Sequence, residues 1–288
     1  MLAYFLLLLF LLPIKIFNLS REEASLCEGD VTLAECTAAV NSFKRNKSPG
    51  LDGLPYEFYH KFWDLLGPEL VATFNDSLQR GSLSYSQRTG LITLLYKKHD
   101  RLDTKNWRPI SLLCTDYKIL SKVLTNRLKS VLSSVISESQ SCGVPGRFSG
   151  SNIRMIQDIV NKCNLQQSGG AIVSLDQEKA FDRVDWGYMQ KVLRRMNFGP
   201  SFCAWIKLLY HNIFSRVLVN GYTSGTFPVT RGVRQGCPLS PLLYIIVAET
   251  IACAIKKDSG IDGFQLPNGE YVKIFQYAND TSVIIHSE

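Results

Sequence analysis

Two aspartates stand where a carboxylate can do chemistry. Asp176 closes the apolar run AIVSLD, at the C-terminal end of a strand, where side chains project into an open crevice. A carboxylate there can hold a divalent cation, because Mg²⁺ takes hard oxygen ligands. It can equally cap the helix that follows. Asp280 lies between two apolar runs near the C-terminus, where an Asp is also an ordinary turn residue. Lys97, Lys98 and Arg108 stand in residues 88–129, which hold ten Lys/Arg against three Asp, a surplus of seven. The whole chain has 32 Lys+Arg against 25 Asp+Glu, also a surplus of seven. A localised basic stripe suits a polyanionic partner, nucleic acid or nucleotide, although a solvated basic face reads the same way. The segment GVRQG, residues 232–236, precedes a helix with prolines at 238 and 241. Glycine there permits close backbone approach, and a helix N-terminus suits phosphate; a plain turn is the alternative. Asp182 and Asp185 read as helix-start carboxylates.

These residues need elements to hold them. Thr32–Glu35 is a capping box, and Ala38, Ala39, Val40 and Phe43 follow at helical spacing, predicting a helix that ends near Arg45. NKSPGLDGLP must then be a loop. Residues 56–79 and 116–136 read as helices, and Leu91–Tyr96 as a short buried strand. Ala171–Leu175 reads as a strand, 185–197 and 201–212 as helices, and Arg216–Asn220 with Thr226–Thr230 as a hairpin. Leu239–Lys256 is a long apolar helix whose prolines suit a first turn. Tyr271–Tyr277 and Ser282–His286 are strands joined by a tight turn. Strands with helices on one face give an α+β architecture.

The chain has 288 residues, 45% of them hydrophobic and 20% charged, which excludes a wholly disordered or collagen-like chain. Only one apolar block approaches membrane length, so a polytopic membrane protein is excluded as well. That block, MLAYFLLLLFLLPI, reads as a signal or anchor segment or as an adventitious leader, with membrane contact limited to residues 1–17. Eight cysteines occur without a C-x-x-C pair, which argues against a zinc site and for reduced, mostly buried thiols.

Three segments in order, VSLDQEKAFDRVDW, TRGVRQGCPLSPLLY and FQYANDTSVIIH, resemble the catalytic part of a reverse transcriptase, nearest to that of LINE-type non-LTR retrotransposon polyproteins. NKSPGLDGLPYEFY, LITLLYKKHDRLDTKNWRPISLLCTDYKILSKVLTNRL and SQSCGVPGRFSGSNI are similar to further segments of that family, so the likeness covers roughly residues 31–288. It implies a right-hand polymerase with fingers and an antiparallel palm sheet. Three parts are expected: a leader at 1–20, a helical extension on the fingers side at 21–77, and a fingers/palm domain at 78–288. The thumb is expected to be missing, as in a truncated copy. The implied activity is RNA-directed DNA polymerisation by two-metal nucleotidyl transfer, with RNA template, DNA primer and dNTP as partners and Mg²⁺ as cofactor.

The resemblance also assigns residues. Asp176 and Asp280 are metal ligands, and the backbone carbonyl of Gln177 adds an oxygen. Phe181 lies under the incoming sugar and selects against a 2′ hydroxyl. Gln235 and Gly236 approach the templating nucleotide, while Arg108, Lys97 and Lys98 meet the triphosphate. Tyr277 opens the family's Tyr-x-Asp-Asp turn. Here that turn reads Tyr277-Ala278-Asn279-Asp280, so Asn279 stands where the family has Asp. The expectation is an impaired polymerase with a weakened second metal, or a remnant that only binds nucleic acid. By family the location is cytoplasm or nucleus, and by the leader a membrane or secretory route.

Overall fold

The computed structural model describes residues 16–287. The leader expected at 1–20 therefore lies mostly outside the described residues. Among them, no helix is long and apolar enough to cross a membrane.

In chain order the elements are α1 (Arg21–Ser25), α2 (Leu33–Asn41), α3 (Tyr56–Lys61), α4 (Trp63–Arg80), α5 (Tyr85–Arg88), β1 (Thr89–Tyr96), β2 (Trp107–Leu112), α6 (Thr115–Val135), α7 (Ser149–Gln166) and β3 (Gly169–Asp176). Then follow α8 (Trp186–Arg195), α9 (Pro200–Tyr210), β4 (Phe214–Val219), β5 (Tyr222–Thr223), β6 (Phe227–Pro228), α10 (Ser240–Lys257), β7 (Phe264–Gln265), β8 (Tyr271–Val272), β9 (Ile274–Tyr277) and β10 (Asp280–Ser287). The architecture is mixed α and β. One sheet runs β2-β1-β4-β5 with β6 also on β4, and it is mixed because β1 and β4 are parallel. A second, β3-β10-β9, is wholly antiparallel. The sequence reading anticipates only antiparallel pairing.

One apolar core runs from Ile16 and Leu19 through α2, α6, α8 and α9 to the buried face of α10. Residues on both sides of position 78 contribute to it, Phe74 and Leu83 among them. A smaller cluster of Ile159, Phe264, Phe275 and Ile284 ties α7 and β7 to the antiparallel sheet.

Several elements differ from the sequence reading for local reasons. The Thr32–Glu35 capping box is present, with Thr32 Oγ1 accepting from the Glu35 amide. The helix it opens closes at Asn41, where Ser42 turns back both its amide and its hydroxyl onto Ala39 O. The helix expected at 56–79 is broken at Phe62, whose backbone leaves the helical region. The strand expected at 271–277 divides at Lys273, because β8 pairs with β7 whereas β9 pairs with β10. The sequence reading has no β2, a strand that contains Pro109. The proline is tolerated because β2 is the edge of its sheet, with Pro109 opposite Leu94.

Candidate active site

The antiparallel sheet brings the C-terminal end of β3 beside the β9–β10 turn. In the β3–β10 ladder Asp176 is the register partner of Asp280, and Asp280 also pairs with Tyr277. Only Ala278 and Asn279 lie between the strands, so Asp280 is the first strand residue and not the tip of the turn. Ala278 has φ of 52°, a left-handed conformation that costs a non-glycine residue roughly 1–2 kcal/mol. The buried side chain of Gln140 offsets this: its Oε1 accepts from Ala278 N at 3.0 Å and its Nε2 donates to Ala278 O at 3.3 Å. The braced turn aims Asn279 at β3, and its Nδ2 donates to Asp176 Oδ1 at 2.9 Å.

A cleft of about 780 Å³ opens in front of this contact. Its walls include Asp176, Gln177, Phe181 and Asn279 on one side and Gln235 and Gly236 on another. Lys97, Lys105 and Arg108 come from the β1–β2 hairpin. Most of the sequence-predicted site residues thus converge from separate segments. Lys98, Tyr277 and Asp280 are exposed and do not line the cleft.

The loop carrying Gln235 is fixed by backbone geometry. Gly236 has φ of 120°, and a Cβ added to it would stand 2.4 Å from Ser111 O of β2. Ser111 N donates to Gln235 O at 2.7 Å. On the other side, Gly232 N donates to Val184 O at 2.7 Å and Val233 N to Phe181 O at 2.8 Å. Between them the buried Arg234 guanidinium donates to the Arg88 and Phe214 carbonyls and lies over the Tyr117 ring. The loop therefore stitches together β2, the end of α5, the start of β4 and the segment after β3. Asp182 is not simply a helix-start carboxylate. Loss of water around it pushes its carboxyl up, and a hydrogen bond from Gln235 pulls it back. Asp185 does cap α8, accepting from Tyr188 N at 2.7 Å.

Beneath the cleft lies Tyr244 of α10, a residue the sequence reading leaves out of the site. Its ring stacks on Phe181 with centroids 4.8 Å apart and planes 14° apart, and its hydroxyl donates to Gln177 Oε1 at 2.9 Å. Burial, and then the charges of Asp280 and Asp176, push that hydroxyl's pKa up. The sequence carried a signal: on a helix that opens at Ser240, residue 244 shares a face with the residues at the cleft floor.

The basic stripe does not survive as one face. Arg127 is buried, pairs with Glu35 at 2.6 Å and donates to the carbonyls of Cys27, Glu28, Gly29 and Asp30. Lys118 donates to Ser48 O, and burial lowers its pKa. Arg88 holds the carbonyls of Leu83 and Asn212. Of the stripe, Lys97, Lys105 and Arg108 line the cleft, where exposed Lys179 from outside the stripe joins them.

The donor set around Asp176 is oxygen-rich, which fits a hard divalent cation. It fits one ion better than two, because Asn279 brings no charge and points its N–H at the carboxylate a metal would use. The Gln177 carbonyl already accepts from Ala180 N at 3.2 Å, which leaves it one lone pair. Among the described residues, Asp52, Cys114 and Asp116 also form a metal-capable group, with ligand atoms within 4.8 Å of one another. It shares no residue with the cleft walls. Its Asp116 already accepts from Tyr117 N and Gln87 Nε2.

Residues 96–288 match the family described as reverse transcriptase (RNA-dependent DNA polymerase). The chain is 41% identical over 258 residues to the transposon TX1 uncharacterized 149 kDa protein of Xenopus laevis, covering 89% of this chain and 20% of that protein. It is 28% identical over 268 residues to the RNA-directed DNA polymerase from mobile element jockey of Drosophila melanogaster, covering 90% and 28%. It is 25% identical over 248 residues to the retrovirus-related Pol polyprotein from type-1 retrotransposable element R2 of Popillia japonica, covering 85% and 33%. The chain thus spans a fifth to a third of the length of these relatives.

Proposed function

Because this chain belongs to the reverse transcriptase family, in its LINE-type non-LTR retrotransposon branch, we propose that its cleft is a nucleotidyl-transfer site that copies an RNA template onto a DNA primer. The observation that carries the reading is the convergence in one cleft of Asp176, Asn279, Phe181 and Gln235 with Lys97 and Arg108, residues from distant parts of the chain. In this reading the β1–β2 hairpin belongs to the fingers and the β3-β10-β9 sheet to the palm.

Each role follows from the chemistry of the side chain. Arg108 offers a fixed fork of donors to the triphosphate, and Lys97 a mobile point charge. Phe181, held flat by Tyr244, presents a ring edge to the sugar and leaves no room for a 2′ hydroxyl. Gly236, without a side chain and pressed on Ser111, lets the nascent base pair approach the backbone while Gln235 meets the templating nucleotide. Asp176, with Asp280 and the Gln177 carbonyl, would hold Mg²⁺. Bound there, the metal lowers the pKa of the primer hydroxyl and neutralises charge on the phosphates. Asn279 supplies an amide where the family has a carboxylate, so the second ion is held weakly and turnover is impaired.

Binding tests this independently of turnover. A complex of the protein with an RNA template and dideoxy-terminated DNA primer, followed by fluorescence anisotropy in Mg²⁺, should be stabilised by the complementary dNTP and not by a mismatched one. Arg108→Glu should abolish that stabilisation at unchanged Tm. A complex indifferent to the complementary dNTP would overturn the proposal.

A further inference from the structure

Tyr244 makes two contacts that no other described side chain combines. The tyrosine is nearly fully buried, 2% exposed, on the first turns of α10. Its ring lies parallel to Phe181 and its hydroxyl reaches Gln177 Oε1. Gln177 directly follows Asp176, and Phe181 lies four residues further on. Between them the chain turns through exposed Glu178 and Lys179, the latter left-handed at φ 51°. One residue from a separate helix thus grips both ends of the turn that leads from the carboxylate to the aromatic ring. Other bonds hold the turn's backbone, Ala180 N to Gln177 O at 3.2 Å, Asp182 N to Lys179 O at 2.9 Å and Val233 N to Phe181 O at 2.8 Å, and Arg183 pairs with Glu178, but none of these touches the Phe181 ring or the Gln177 side chain.

We propose that Tyr244 is the positioning residue for sugar selection in this cleft. Its stack sets the height of the Phe181 ring, and its hydrogen bond sets the distance of that ring from Asp176. The inference rests on the reading of Phe181 as the sugar-facing ring. Exclusion of a 2′ hydroxyl is steric, and a steric gate is only as selective as its wall is fixed. A tyrosine serves where phenylalanine would supply the stack alone, because a buried phenol hydroxyl takes a partner, and here that partner belongs to the residue beside the carboxylate.

The test compares two ligands in one protein, so general loss of stability cancels. Full-length protein is bound to an RNA template with a dideoxy-terminated DNA primer in Mg²⁺. The dissociation rate into a heparin trap is then measured with the complementary dNTP and with the matching rNTP. Tyr244→Leu, which removes both contacts, should shrink the rNTP:dNTP ratio of dissociation rates at least fivefold. Tyr244→Phe, which keeps the stack and the fold, should shrink it about twofold. Phe181→Ala should shrink it at least as far as Tyr244→Leu. If Phe181→Ala leaves the ratio unchanged, or the wild type forms no nucleotide-stabilised complex, the reading of the cleft fails and the inference falls with it. If Phe181→Ala collapses the ratio while both Tyr244 variants keep the wild-type value, the role of Tyr244 is refuted and the reading of Phe181 stands. Should Tyr244→Leu not fold, Tyr244→Phe alone decides.

Discussion

Replacing Asn279 by Asp restores the family's carboxylate, and the structure says what that costs before any substrate binds. The Asn279 amide now donates to Asp176 Oδ1 at 2.9 Å. In Asn279→Asp the donor is gone and two carboxylates face each other at about 4 Å, a separation at which their repulsion is about 1 kcal/mol in bulk water and about 4 kcal/mol at an effective dielectric of 20. Asp176 is exposed and Asn279 only half-buried, so the lower figure governs. The lost hydrogen bond, weakened by water because Asp176 is exposed, adds about 1 kcal/mol. A deficit of about 2 kcal/mol lowers Tm by about 4 °C for a chain of this size. The pH dependence has a definite sign. Facing carboxylates disfavour each other's ionised form, so one titrates higher in the folded than in the unfolded chain. The deficit is then absent near pH 4, where the pair carries at most one charge, and grows as pH rises towards neutrality. Mg²⁺ should close the gap at pH 7.5 by bridging the pair, and should move the wild type less. Differential scanning fluorimetry with EDTA and with Mg²⁺, at pH 4 and 7.5, reads all of this. Equal Tm values for the two proteins at pH 7.5 in EDTA would refute the reasoning.

Three further outcomes follow from the same geometry. Arg127→Met leaves Glu35 without its cation and the carbonyls of Cys27, Glu28 and Asp30 without their side-chain donor, while Gly29 O keeps Trp205 Nε1, so stability should fall by roughly 3 kcal/mol or more in urea unfolding, an effect a surface lysine would not give. Gly236→Ala forces a Cβ to within 2.4 Å of Ser111 O at a φ of 120°. It should destabilise the protein by about 1–3 kcal/mol, and hydrogen exchange at the Ser111 amide should quicken as its bond to Gln235 O opens. Template–primer affinity should fall as salt rises, and Lys97→Glu with Arg108→Glu should flatten the log–log slope by about one for each phosphate no longer neutralised; a slope unchanged by both substitutions would count against a nucleic-acid cleft.

The sequence named most of the residues that the fold brings into one cleft, and part of the scaffold that holds them. Asp176 at a strand end, the Gly-x-x-Gln-Gly loop before a proline-opened helix, and the hairpin at 277–280 were all legible, because local pattern alone determines them. Pairing partners were not. That β1 runs parallel to β4, and that β8 abandons β10 for β7, depends on contacts across the chain. β2, which holds Pro109, was missed, and only the finished sheet reveals that this strand lies at an edge where proline is tolerated. Charge was the least transparent feature. Arg127 and Lys97 look alike in a basic stretch, yet Arg127 clamps four carbonyls in the interior and Lys97 lines the cleft. The turn misled in a finer way. Reading Asp280 as a turn residue overlooked that the two-residue turn puts Asn279 against Asp176 and starts β10 at Asp280.

The central claim is that this cleft transfers nucleotides through Asp176 and is weakened at position 279. Primer extension by purified protein on an RNA template, with Mg²⁺ and all four dNTPs, tests it most directly. Removing one anionic ligand raises the barrier by about 3–5 kcal/mol, so Asn279→Asp should extend primers roughly 10²–10⁴-fold faster than the wild type. Adding Asp176→Asn to that variant should erase the gain. Equal rates with Asn or Asp at 279, or extension that survives Asp176→Asn, would contradict the account.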